Sequence, residues 1–163
     1  RVMVLDFDAH HGDGTEEILA DRPGVRFLSL FQWPLFPHRR MEPTPSNAVL
    51  SPLPAGAGGE EIRNVVENVW LPEIDKFQPD LMILSAGFDA HCEERIAQLK
   101  AGEMDYACVT RLLVEASFAY CEGRLVSVLE GGYELRSLAR SVFTHLQGLI
   151  RNPLPAETCK DPN

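Results

Sequence analysis

Residues 2–5, 81–85 and 125–129 are short, almost wholly apolar runs, and each gives way abruptly to acidic residues and glycine. A strand with one wet face alternates apolar with polar residues, whereas a run that is apolar throughout belongs in a sheet covered on both sides. The stretches between the runs carry helical spacing. After Gly58-Gly59, Ile62, Val65, Val66, Val69, Trp70, Ile74 and Phe77 recur at that spacing, with Pro72 predicted to bend the helix. A second helix is predicted over 104–121 with Val109, Leu112, Leu113, Ala116 and Tyr120 on one face. A third is predicted over 137–150 with a stripe of Leu138, Val142, His145, Leu146 and Leu149. A short helix over 15–20, capped by Asp13 or Thr15, and a strand over 25–30 complete the pattern. Six prolines in residues 31–54 bar a helix there, leaving room for a short strand near Val49. Strands that alternate with helices predict an α/β fold: three layers, with a mostly parallel sheet and helices on both faces.

The chain has 163 residues, 45% of them hydrophobic and 24% charged, which fits one domain with a continuous core. A net charge of −9 argues against a broad grip on phosphates, so nucleic acid is not expected as a direct ligand. No apolar run approaches the ~20 residues that span a bilayer, and no signal-peptide pattern opens the chain. No membrane association is therefore expected, and the default location is cytoplasmic, or nuclear in a eukaryote. Cys92, Cys108, Cys121 and Cys159 have neither C-x-x-C spacing nor the density of a disulfide framework, and reduced, packed thiols are expected. The sequence enters its first apolar run directly from Arg1, which suggests continuation of a longer chain.

Ligands of open parallel sheets sit at the carboxyl ends of the strands, and the polar residues here collect there. Asp6, Asp8 and His10 follow the first run, and an extended backbone would point all three to one side. Asp89 follows the second run past Gly87, and Tyr133 follows the third past Gly131-Gly132. Asp8, His10 and Asp89 form an O/N/O donor set that leaves a position open, as a catalytic divalent ion requires. Tyr133 can then donate a hydrogen bond to a developing oxyanion. Taken alone, Asp6-x-Asp8-x-His10 also reads as a capped turn with a solvated acidic pair.

The segments Leu5-Asp6-Phe7-Asp8-Ala9-His10-His11-Gly12-Asp13-Gly14-Thr15, Ser85-Ala86-Gly87-Phe88-Asp89-Ala90-His91 and Leu129-Glu130-Gly131-Gly132-Tyr133 resemble, in order and context, motifs of the zinc-dependent histone deacetylase superfamily. They are most similar to the class II enzymes and their bacterial relatives, which include acetylpolyamine amidohydrolases. The resemblance implies the C-terminal portion of a catalytic domain over residues 1–152, with a tail over 153–163, and an arginase/deacetylase-like fold that is incomplete. It implies that Asp8, His10 and Asp89 bind Zn²⁺, or Fe²⁺, and that Tyr133 polarises the acetamide carbonyl of an acetyl-lysine peptide or acetylpolyamine. Asp6 and Asp13 would orient a tandem pair of catalytic histidines. Asp6, Asp8 and His10, with Ser29 and Leu30, would hold K⁺. Phe36, Gly131 and Gly132 would line the acyl channel.

In that family the tandem histidines precede the first apolar run, and residues 1–163 do not contain them, since His10 of His10-His11 is itself a ligand. Weak or absent activity is therefore expected of this chain alone. A sheet edge left bare beside residues 125–129 predicts self-association or pairing with an N-terminal half. Two further readings are a non-catalytic metal-binding module that binds a ligand or partner chain, and an arginase-like ureohydrolase. The second needs a Ser-x-Asp-x-Asp pattern that residues 85–89 lack. Phe36-Pro37-His38-Arg39-Arg40 and Cys92-Glu93-Glu94-Arg95-Ile96 replace the family's Gly-rich turn and Asp-Pro-Leu stretch, so substrate preference does not transfer. His91 reads as a loop residue, His145 as half-buried on its helix, and His11 as a packing residue.

Overall fold

The computed structural model describes residues 1–38 and 44–150, so Arg39, Arg40, Cys159 and the tail over 153–163 lie outside the described residues. Five parallel strands form one sheet in the order β3-β2-β1-β4-β5. They are β1 (Val2–Asp6), β2 (Val25–Gln32), β3 (Ala48–Leu53), β4 (Leu81–Ala86) and β5 (Leu125–Leu129). β3 is longer than the short strand expected near Val49 and includes Pro52. Proline is tolerated because β3 lies at the sheet edge, where one row of N–H groups has no partner strand to serve.

Helices cover both faces. In β1, β2 and β4 the side chains of Leu5, Leu28 and Leu84 share one face and pack with Val66, Trp70, Ile74 and Leu113 in a single buried cluster. That layer comprises α2 (Gly59–Val65), a π-helical turn over Val66–Trp70, α3 (Leu71–Phe77), α4 (Glu103–Cys121) and α5 (Leu135–Leu149). The π turn runs directly into Pro72, and the widened turn accommodates a residue that has no N–H to return. Phe27 and Phe31 point to the opposite face, where His11 stacks on Phe31 at 4.5 Å and the loop before α1 (Asp13–Leu19) lies over Phe27. Gly12 occupies the N-cap position of α1, without a side-chain cap; Asp13 falls inside the first turn and Thr15 further on, so neither is the expected cap.

Coverage thins toward β5, an edge strand whose Val126 and Val128 are 50% and 45% exposed. Two helix faces also differ from their predicted stripes. α4 is buried well beyond one face, because α2, α3, α5 and the sheet surround it. α5 buries Ser137, Ser141 and His145 and turns Phe143 and Leu146 outward. Small residues face α4 because the helices approach closely: a Cβ on Gly148 would lie 2.8 Å from Thr110 Cγ2.

His145 is fully buried, not half-buried, and bridges three elements. Thr110 Oγ1 donates to the Tyr106 carbonyl (2.6 Å), so it accepts from His145 Nδ1 (2.6 Å), while Ser127 donates to Nε2 (2.8 Å). Its ring also meets Phe7 and Phe88 edge-on. Cys92 and Cys121 are free thiols, exposed and buried respectively.

Candidate metal centre

β1, β4 and β5 lie side by side in the sheet, so the three loops that leave their carboxyl ends converge. The extended alternation expected after β1 does not persist. Asp6 Oδ1 accepts the N–H of Asp8 (3.0 Å), and Asp8 Oδ1 accepts the N–H of His10 (2.8 Å). These successive bonds from residue i to i+2 bend the chain into two turns. Asp6 accordingly turns away and sits against Gly12, whose Cβ, if present, would be 2.4 Å from Asp6 Oδ2. Asp8 and His10 instead meet Asp89, with one donor atom from each within 4.8 Å of the others.

These three residues are firmly held. Gly131 N–H donates to Asp8 Oδ2 (3.0 Å), and Ala9 N–H donates to Asp89 Oδ1 (2.8 Å). His10 Nδ1 lies 3.1 Å from Asp8 Oδ1 and 2.8 Å from Asp89 Oδ2. Hydrogen bonds to Asp8 and then Asp89 push the imidazole up to about 10. Burial pushes the Asp89 carboxyl up. Burial acts on Asp8 in the same sense but is outweighed by hydrogen bonds from His10 and the backbone, which leave it lowered. Asp89 Oδ2 is buried and accepts no well-aligned hydrogen bond. Two carboxylates and an imidazole that converge on one point suit a divalent cation. Gly87 and Gly131 complete the cradle, since a Cβ on either would strike the Asp8 carboxylate.

Tyr133, after the glycine pair that follows β5, is 63% exposed. Partial burial and the charges of Asp89, Asp8 and Glu94 hold its phenol above the ordinary value. Asp6 is buried, and that burial raises its carboxyl well above the usual range. Asp13 accepts the Gly14 N–H at the start of α1, outside the cluster. Ser29 lies opposite Asp6 in the β1–β2 register, its hydroxyl buried without a hydrogen bond, and Leu30 follows it in the core. Phe36 is largely exposed on the proline-rich excursion.

The sequence did not signal several polar contacts around the centre. His11, expected only to pack, is buried with Nε2 bonded to Glu16. His91 is buried rather than lying open on a loop. With Glu93 and Glu103 it makes a second group at coordinating distance, but a cation of the protein already closes that group. Arg140 binds both Glu93 and Glu103. His91 Nδ1 accepts the Glu93 N–H (3.1 Å), which leaves the ring proton on Nε2, 3.4 Å from Glu103. Burial works against ionisation of Glu103, yet the bond from Arg140 prevails and brings it to about 2. Such contacts join residues up to 47 positions apart and leave no local pattern.

Known proteins resemble this chain over nearly its whole length. The pattern of the histone deacetylase domain matches residues 1–149. Histone deacetylase 10, chloroplastic, of Oryza sativa subsp. japonica is 34% identical over 168 residues, covering 99% of this chain and 38% of the rice protein. Polyamine deacetylase HDAC10 of Homo sapiens is 33% identical over 170 residues, covering 95% of this chain and 24% of the human protein. The crystal structure of the HDA15 HD domain superposes with a TM-score of 0.84 at 29% identity, over 100% of this chain and 47% of that one. The chain thus spans less than half the length of each of these relatives. A parallel sheet that carries two aspartates and a histidine to one point, and a domain pattern that runs through all three strand ends, lead to one assignment: the chain belongs to the histone deacetylase family.

Proposed function

We propose that the chain is part of a metal-dependent amidohydrolase that removes acetyl groups from lysine side chains or polyamines. The observation that carries this reading is the convergence of Asp8, His10 and Asp89, with His10 Nδ1 3.1 Å from Asp8 Oδ1 and 2.8 Å from Asp89 Oδ2. In it, Asp8, His10 and Asp89 hold Zn²⁺ or Fe²⁺, which when bound supplies Lewis acidity and lowers the pKa of water. Tyr133 donates its hydroxyl hydrogen to the acetamide oxygen and stabilises the charge that develops there. Gly131 and Gly132 let the backbone approach the acyl group, and Gly132 adopts a φ of 132° that favours glycine. Phe36 lines the path of the acyl chain. Proton abstraction falls to a histidine pair that the family resemblance locates ahead of β1, with Asp6 and Asp13 as its orienting carboxylates. The orphaned Ser29 hydroxyl opposite Asp6 supports a K⁺ site built with Asp8, His10 and Leu30.

The partner in this reading is the remainder of a family-length domain, seated on the bare side of β5 and α5. Metal analysis of wild type, Asp8→Ala and Asp89→Ala tests the centre: one divalent ion per chain is expected, with at least a tenfold loss of affinity in each variant. Undiminished metal in both variants would sink the reading. A fluorogenic acetyl-lysine substrate, offered with and without an added N-terminal portion of a family domain, tests the division of labour. Turnover is expected only on complementation.

A further inference from the structure

An open cleft of about 510 Å³ lies between the loop after Asp89 and the start of α5, with Tyr133 in its wall. Four charged side chains line it, and they are not equivalent. Glu94 Oε1 accepts the backbone N–H groups of Tyr133 (2.6 Å) and Glu134 (2.7 Å). Glu134 Oε2 caps α5 by accepting the N–H groups of Arg136 (2.9 Å) and Ser137 (2.8 Å), and those bonds hold its carboxyl below the ordinary range. Both carboxylates are therefore engaged by backbone donors at the positive end of a 15-residue helix. Arg95 and Arg136 are exposed, and neither guanidinium forms a close ion pair or hydrogen bond among the described residues, though the charge of Arg136 helps hold the Glu134 carboxyl down. Arg140, one turn further along α5, differs in being spent on Glu93 and Glu103. A guanidinium presents a planar fork of donors that matches a carboxylate.

We propose that Arg95 and Arg136 make this cleft select acyl amides bearing a carboxylate next to the scissile acetamide, such as acetyl-lysine beside Asp or Glu, over neutral and cationic substrates. The proposal rests on the deacetylase reading above, because that reading assigns the acetamide oxygen to Tyr133, which lines the cleft. An acetylpolyamine, cationic along its length, would meet two guanidinium groups beside carboxylates already engaged by backbone donors, and is disfavoured. Exposed charge pairs are worth about 1 kcal/mol or less each, so a preference of roughly three- to tenfold is expected, chiefly in KM.

The test uses the metal-loaded chain complemented by the N-terminal portion of a family domain, and peptides that differ only in Asp, Gln or Lys beside the acetyl-lysine, with acetylspermidine as a further arm. The expected order of kcat/KM is Asp over Gln over Lys, with acetylspermidine below the Asp peptide. Added salt should compress the order, Arg95→Glu/Arg136→Glu should invert it, and Arg95→Lys/Arg136→Lys should largely keep it. Equal values for the Asp and Gln peptides, or an order unchanged in the Glu double variant, overturn the proposal. If no acetamide is hydrolysed, the deacetylase reading falls, and fluorescence anisotropy of labelled peptides still decides the cleft. Tighter binding of the Asp peptide to wild type than to the Glu double variant supports it, and equal binding overturns it.

Discussion

Gly131 has no room for a side chain: a Cβ there would lie 2.5 Å from Asp8 Oδ2 and 2.6 Å from Asp89 Oδ2. Gly131→Ala should therefore displace both carboxylates while leaving every donor in place. Its divalent-ion affinity, read by chelator competition, should fall about 10- to 100-fold with an unchanged far-UV spectrum. His145 supports a second prediction. Burial pushes its imidazole down to about 4, below the ordinary value near 6.5. At pH 7 it is neutral in both folded and unfolded chains. As pH falls below 6.5 the unfolded chain takes up a proton that the folded chain refuses, so stability declines toward pH 4. Urea unfolding at pH 7 and 4.5 should differ by about 2 to 3 kcal/mol from this residue, and His145→Gln should flatten that part of the slope. Asp8, His10 and Asp89 were legible because a short motif and a strand end fix each one. The turns that divert Asp6 were not, because Asp6-x-Asp8-x-His10 is compatible with both extended and Asx-turned backbone. The His145 bonds and the Glu94 bridge to Tyr133 were hidden for another reason, since their partners lie far apart in sequence.

The π-helical turn between α2 and α3 buries Trp70 completely, yet its indole N–H has no hydrogen-bond partner among the described residues. Trp70→Ala should cost about 3 to 5 kcal/mol in urea unfolding. Trp70→Phe should cost less than half as much, because it keeps most of the apolar volume and removes a buried donor that bonds to nothing. Equal losses in the two variants would mean that the N–H has a partner after all. At this scale the strands were read well, since an unbroken apolar run has few alternatives in a sheet covered on both sides. The face of α5 was read less well. Hydrophobic periodicity singled out Leu146, whereas close approach to α4 selected Ser137, Ser141 and Gly148 for their size. Periodicity reports where apolar residues recur and is silent on how near the neighbouring helix comes.

Across the whole molecule, Val126, Val128 and Leu129 of β5, with Leu135, Phe143 and Leu146 of α5, remain exposed. An edge strand with apolar residues on show is a template for association. The 163-residue chain should therefore self-associate with rising concentration, and Val128→Lys/Phe143→Glu should weaken that association at least tenfold without lowering stability. Sedimentation velocity would decide, and a wild-type chain that stays monomeric throughout the concentration series contradicts the expectation. The sheet order has a further consequence, for the time at which the fold can close. β1 lies in the middle of the sheet, yet its partners come later in the chain: Val2 pairs with Val25 on one side and with Leu81 on the other. At translation rates of about 5 to 20 residues per second, roughly 4 to 16 s separate the synthesis of Val2 from that of Leu81. Through that interval the nascent chain carries a central strand open along one side, and with it the hydrophobic surface most in need of a chaperone.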